Sequence, residues 1–202
     1  MTAEVEQERS ILLGKDRLYV SLVGGDRFVK LLEQKDPVWP ILNQNTQKQL
    51  TDALNRFNNS GGLVITFVGE ESEQAAAALF RIRGKLPPYL IGARVGETIE
   101  GRTMNNAYSI LREIQLQLGY STTIDGNPPE LNMGMVNGLL AGKEEETVVL
   151  ILEFDKLPSD EQKELLKKLQ HGKLSQCKKV ICSQSPPGDN TNMIQLNHNV
   201  EF

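Results

Sequence analysis

The chain has 202 residues, a formal net charge of −4 and a sequence pI near 5.4, with 39% hydrophobic and 24% charged residues. These values fit one domain, or one domain with a small attachment, large enough to bury its own core. They argue against a surface coated for nucleic acid or anionic lipid and leave only local basic patches to consider.

Met1–Arg9 is acidic and polar, without the basic segment and apolar stretch of a secretory signal. The longest apolar runs fall short of the roughly 20 residues of a membrane span. Two cysteines, Cys177 and Cys182, are too few for a disulfide framework, so a reducing cytoplasm is the expected compartment and no membrane is expected.

Leu18–Val23 is a short β-like run ending at Gly24-Gly25, and Asp26 is placed to cap a helix reaching Leu32. Pro37 and Pro40, flanking Trp39, break that helix. From Thr46 to Asn58, Leu50, Ala53, Leu54 and Phe57 recur at helical spacing and form one apolar stripe, stopped by Asn58-Asn59-Ser60-Gly61-Gly62. Leu63–Val68 (LVITFV) is the strongest strand. It is apolar and β-branched without alternation, the pattern of a parallel strand covered on both faces. Gly69 ends it, and Glu73–Arg83 reads as an alanine-rich helix.

Pro87-Pro88 set off a second strand, Tyr89–Val95. Thr103–Leu118 is an amphipathic helix carrying Ala107, Ile110, Leu111, Ile114 and Leu118, closed by Gly119. Pro129–Leu140 is a further helix. Along it Gly134, Gly138 and Gly142 recur every four residues, a spacing expected to let the helix pack closely on the sheet or on a subunit, with packing inside the protein the favoured reading. Val148–Leu152 (VVLIL) is a third buried-type strand. Ser159-Asp160-Glu161-Gln162 fits a capping box opening a helix with Leu165, Leu166 and Leu169. Lys179–Cys182 is a fourth strand and Met193–Leu196 a fifth. There is no internal repeat. His171, Cys177, Cys182 and His198 match no common zinc spacing, so no metal is expected.

Strands alternating with helices predict an α/β fold: a three-layer α/β/α sandwich with a mainly parallel sheet. Residues 1–45 read as an N-terminal arm or extra edge element, and 46–202 as the α/β core. Ligands of such sheets bind at the carboxyl ends of the strands, here the ends of LVITFV, VVLIL and KVIC.

From about Thr46 onward the chain resembles the P-loop NTPases, especially the AAA+ and STAND-type modules of origin-recognition proteins and transposition ATPases. Four parts in order carry the resemblance. They are a helix ending in SGG, the following strand–loop–helix, the segment AYSILREIQLQLGY, and VVLILEFDKLPSDEQKELLKKL followed by KKVICSQSP. The last two resemble the surroundings of those families' second acidic motif and polar sensor strand.

A working phosphate loop reads G-x-x-x-x-G-K-[ST], with glycines that let backbone N–H groups face phosphate, a lysine for charge and a hydroxyl for magnesium. The aligned stretch is Gly69-Glu70-Glu71-Ser72-Glu73-Gln74-Ala75-Ala76. Gly69 is kept, but Gln74, Ala75 and Ala76 stand where glycine, lysine and serine or threonine belong. Glu70, Glu71 and Glu73 put three carboxylates where a triphosphate would lie. Like charges about 4 Å apart repel by roughly 4 kcal/mol at a surface-like dielectric, against the favourable field of the helix N-terminus. The same acids suit that N-terminus on their own account.

The acidic motif is altered too. VLIL is followed by Glu153-Phe154-Asp155. Either Glu153 is the magnesium-side residue and Phe154 replaces the water-activating acid, or Glu153 is that acid and Leu152 replaces the metal ligand. Ser183, in Cys182-Ser183-Gln184, keeps a polar group at the sensor position. The resemblance also implies a helical lid with a second sensor arginine, which the sequence does not supply after Leu196.

The resulting expectation is a module without ATPase activity and without a cofactor. It would be a scaffold or regulatory subunit acting through a protein partner or its own copies, in an assembly that could work on DNA. Two alternatives stand beside it. One is an atypical ATP-binding protein using the degenerate cleft. The other is a nucleic-acid or acidic-partner patch built from Lys163, Lys167, Lys168, Lys173, Lys178 and Lys179, or from Arg81, Arg83, Lys85, Arg94 and Arg102. No aromatics are interleaved with either group, which weakens a stacking surface.

Overall fold

The computed structural model describes residues 9–13, 16–34, 44–59, 61–82, 88–119, 129–188 and 193–195. The unbroken apolar runs become the centre of a sheet. They are β3 (Val64–Val68), β4 (Tyr89–Arg94), β7 (Thr147–Leu152) and β8 (Lys178–Ser183). Every residue of β7 is buried, as the lack of alternation requires. To these the chain adds β1 (Arg9–Leu13) and β2 (Asp16–Val23) at one edge and β9 (Met193–Gln195) at the other. The seven strands lie in the order β1-β2-β4-β7-β8-β3-β9. Only the β1–β2 pairing is antiparallel; all others are parallel. A separate small hairpin joins β5 (Thr98–Ile99) to β6 (Arg102–Thr103).

Side chains of β7 divide between two cores. Val148, Leu150 and Leu152 pack with residues of α1 (Asp26–Glu33), α2 (Gln44–Asn59) and α3 (Ser72–Ile82). Val149 and Ile151 pack with α4 (Ala107–Gln117), α5 (Met133–Leu140) and α6 (Ser159–Leu169). The protein is therefore α/β, with helices on both faces of a mainly parallel sheet, an arrangement compatible with three layers.

The alanines of α3 have a packing reason. From Ala75 to Phe80 no residue is more than 3% exposed. Small side chains let α3 lie close on the sheet while other helices cover its outer side. Phe80 meets Phe28 of α1 and Phe57 of α2 edge-on, with ring centroids 6.1 and 6.0 Å apart.

Several local expectations are corrected. β1 was not visible as a strand in the sequence. Asp26 opens α1 from inside, since Gly25 is the N-cap and no side chain caps it. Ser159 likewise lies inside α6 behind Pro158, and no side-chain cap forms there. Gln162 instead donates its side-chain amide to the Leu157 carbonyl at 2.8 Å. The capping box belongs to α4, where Asn106 and Ser109 exchange side-chain and backbone bonds. Thr103 pairs in the hairpin, so α4 begins at Ala107. In α5, Gly134 and Gly138 are exposed, and Gly142 lies beyond the helix at φ +79°. A Cβ at Gly138 or Gly142 would meet nothing within 4 Å, so the glycine spacing does not serve internal packing. Pro37, Trp39, Pro40, Arg83, Lys85, Leu196 and His198 lie outside the described residues.

Candidate functional site

The carboxyl ends of the parallel strands gather the chain's polar groups. After Val68 the backbone turns at Gly69, whose φ of +135° favours glycine. The Gly69 N–H donates to the Ser183 carbonyl at 2.9 Å, tying β3 to β8. The turn is short, because α3 starts at Ser72. The Ser72 N–H donates back to Gly69 at 3.2 Å, and the Ala75 N–H donates to Glu71 at 3.0 Å. Gln74, Ala75 and Ala76 therefore lie within the helix, and Ala75 and Ala76 are 0% exposed. Two of the positions that a phosphate loop would turn toward its ligand, Ala75 and Ala76, belong to the hydrophobic core, and Gln74 beside them is half-buried.

The acids of this turn differ in surroundings. Glu70 is exposed, while Glu71 and Glu73 are half-buried. The Glu73 carboxylate accepts both terminal nitrogens of Arg94 at 2.5 and 3.0 Å, a two-pronged ion pair. Arg94 closes β4, and its Nε donates to the Gly24 carbonyl at the end of β2, at 3.0 Å. A terminal nitrogen also lies 3.7 Å from the Glu153 carboxylate at the end of β7. The side chains of Arg94 and Glu73 are only 8% and 13% exposed. Burial by itself lowers the guanidinium's hold on its proton. The hydrogen bond and charge of Glu73, with the charges of Glu153 and Glu97, outweigh it, and the Arg94 pKa stands above its ordinary value. The turn's own residues supply no cation, as the sequence shows, but the fold delivers one from β4. The repulsion expected among the carboxylates is thereby relieved at Glu73.

The backbone beneath Arg94 is unusual. Gly92 has a φ of +135°, and a Cβ there would lie 1.9 Å from the Leu150 carbonyl oxygen. Its N–H donates to the Gln117 side chain at 2.7 Å, and its carbonyl accepts from the same side chain at 2.8 Å. One α4 glutamine thus satisfies both peptide groups of a kinked strand residue two places before Arg94.

The altered acidic motif separates in space. Phe154 is 0% exposed and belongs to the core on the α4–α6 face. Glu153 takes a left-handed backbone conformation, φ 54°, rare outside glycine, and its carboxylate also meets the Lys156 ammonium at 2.8 Å. Asp155 accepts from the Ser183 hydroxyl at 3.2 Å and from the Gln184 N–H at 2.9 Å. Ser183 thus spans the space between the turn after β3 and the acids after β7, because β8 lies between those strands.

Several described members of the two basic groups are engaged in contacts within the protein, while Arg83 and Lys85 lie outside the described residues. Arg94 is consumed as described, Arg81 donates to the Leu32 carbonyl at 3.2 Å, and Arg102 pairs with Glu100 and Glu113. Among the lysines, Lys179 at the start of β8 is 1% exposed. Its ammonium donates to the carbonyls of Leu174 and Ser175 at 2.7 and 3.2 Å. Burial pushes its pKa down to about 8, against the opposing charge of Cys177. Burial likewise raises the Cys177 thiol to about 11. Lys178 lies 4.8 Å over the Phe57 ring, Lys173 pairs with Glu144 at 2.8 Å, and Lys168 approaches Glu164 at 3.9 Å. Lys163 and Lys167 are exposed on α6.

Cys177 and Cys182 are buried free thiols. Among the described residues no three histidine, cysteine or acidic side chains gather to hold a metal ion, and no helix is long and apolar enough to cross a membrane.

Sequence reasoning passed over Arg94, Gly92 and Gln117 as a unit. The available signal was an arginine ending an otherwise apolar strand, Tyr-Leu-Ile-Gly-Ala-Arg, since a charge there must find a partner at the sheet's rim. No protein-family model matches the chain and no curated protein is significantly similar to it, so the reading of its function rests on these contacts.

Proposed function

We propose that the chain is a degenerate AAA+-like module that neither binds nor hydrolyses ATP and acts through protein contacts, as a scaffold or regulatory subunit of a larger assembly. The observation that carries this reading is the burial of Ala75 and Ala76 inside α3, a helix that opens at Ser72 after a three-residue turn and whose Ser72 and Ala75 N–H groups donate back to the Gly69 and Glu71 carbonyls. Hydrolysis needs positioned phosphates, charge neutralisation and an oriented water together. The cation at this rim, Arg94, is engaged by Glu73; Glu153 is engaged by Lys156, and Asp155 by Ser183 and Gln184. The turn after β3, the acids after β7 and the polar end of β8 still converge at one end of the sheet, which supports a P-loop ancestry for this rim.

Titration of the protein with fluorescent ATP and magnesium tests the first half. No saturable binding is expected up to about 1 mM, a Kd weaker than about −4 kcal/mol of binding free energy. Micromolar binding overturns the reading. For the second half, the native protein isolated at low salt should sediment well above its 22.5 kDa chain mass. A free monomer in that extract overturns it.

A further inference from the structure

Four separate segments meet at Arg94. Its guanidinium is shared by Gly24 at the end of β2, Glu73 in the first turn of α3 and Glu153 at the end of β7, and it is itself carried by β4. In sheets of this kind the crevice at the carboxyl rim is where a ligand normally joins the strand ends to the helix beyond. We propose that the Arg94–Glu73 ion pair takes the ligand's place: it is a built-in clasp that holds the β3–α3 turn against the ends of β4 and β2, so that this rim keeps one conformation whatever the nucleotide supply. This deepens the reading of the rim as a non-binding site and rests on it.

Three features of the structure support the clasp. The pair is two-pronged and nearly excluded from water, the geometry in which a carboxylate and a guanidinium constrain each other's orientation as well as distance. The neighbouring backbone is bent to suit it. Gly92 is kinked two residues before Arg94, and Glu153 adopts its left-handed conformation where its carboxylate faces the guanidinium. Such backbone states persist only where the surroundings over-determine them. Finally, Glu73 is tethered. A free phosphate reaching for Arg94 must displace a carboxylate on the same chain, which competes at an effective concentration on the order of millimolar or more. Glu70 and Glu71 beside it disfavour the exchange further.

The test is amide hydrogen exchange over residues 69–76, read in the whole protein with and without magnesium-ATP. Without nucleotide the wild-type turn is expected to be protected, and added nucleotide should leave it unchanged. In Glu73→Gln the same amides should exchange about tenfold faster or more, while α4 to α6 on the other face keep their wild-type rates. Arg94→Lys retains the charge but loses the fork and the Gly24 bond, and it replaces Glu73→Gln if that variant does not fold; the expected result is the same. Fast exchange in the wild-type turn, or wild-type rates in the substituted protein, overturns the clasp. ATP binding by the wild type sinks the preceding reading instead, so the two failures are distinguishable.

Discussion

Two cations are buried at opposite ends of the sheet, and the protein treats them in opposite ways. Arg94, at the carboxyl rim, faces carboxylates and holds its proton more tightly than a free arginine. Lys179, at the amino end of β8, donates to the carbonyls of Leu174 and Ser175, and burial lets its ammonium give up the proton near pH 8. Carbonyl dipoles offset only part of the cost of removing a charge from water, whereas full opposite charges at bonding distance offset much more. The first cation is fixed in charge across the biological range. The second is a cost that the fold carries at neutral pH.

The largest expected effect attacks the support of the first cation. Gly92→Ala puts a Cβ into the Leu150 carbonyl and should cost at least about 4 kcal/mol, read as the urea midpoint or as loss of a cooperative transition. A near-neutral result would separate the placement of Arg94 from the kink in β4. A smaller effect sharpens the second cation. The folded Lys179 pKa lies near 8 against 10.5 for the unfolded chain. Between those values the unfolded chain binds more protons than the folded one, so stability rises with pH. The Cys177 thiol, raised from 9.0 to about 11, and the Cys182 thiol, also raised by burial, act in the opposite sense as the unfolded thiols ionise from about pH 8 upward. Between pH 8 and 9 Lys179 contributes a gain of about 1 kcal/mol in denaturant unfolding, from which the ionising thiols subtract a part. Lys179→Met should flatten that slope; an unchanged slope would show that another group titrates there. The smallest effect comes from the exposed cations. Replacing Lys163 and Lys167 of α6 with glutamine should move stability by less than about 0.5 kcal/mol, checked by the same midpoint. A larger loss would place these lysines in a network like that of Arg94.

Local sequence carried the central strands well. Runs such as VVLIL need no partner information, because a strand buried on both faces must be apolar throughout. β1 escaped because an edge strand alternates over few residues: Ile11 is buried while Leu12 is 65% exposed. Its sequence, RSILL, is too short to fix a period. The turn after β3 was legible in its chemistry, since Ala75 and Ala76 could not serve phosphate. Its relief by Arg94 was not legible, because that contact depends on strand order and joins segments remote in sequence. Lys179 was grouped with surface lysines for a related reason. Neighbouring Lys178 and Lys179 point to opposite sides of a strand covered on both faces, and only the assembled sheet shows how deeply each is covered.

The position of β3 bears on how the chain reaches this state. Val64–Val68 pairs only with Lys178–Ser183 and Met193–Gln195, both far downstream. During synthesis this apolar, β-branched segment leaves the ribosome long before anything exists for its backbone to bond to. Closing so distant a pairing is slow, and an unpaired strand of this composition is prone to stick to other chains meanwhile. The yield of folded protein is therefore expected to rise with chaperone supply.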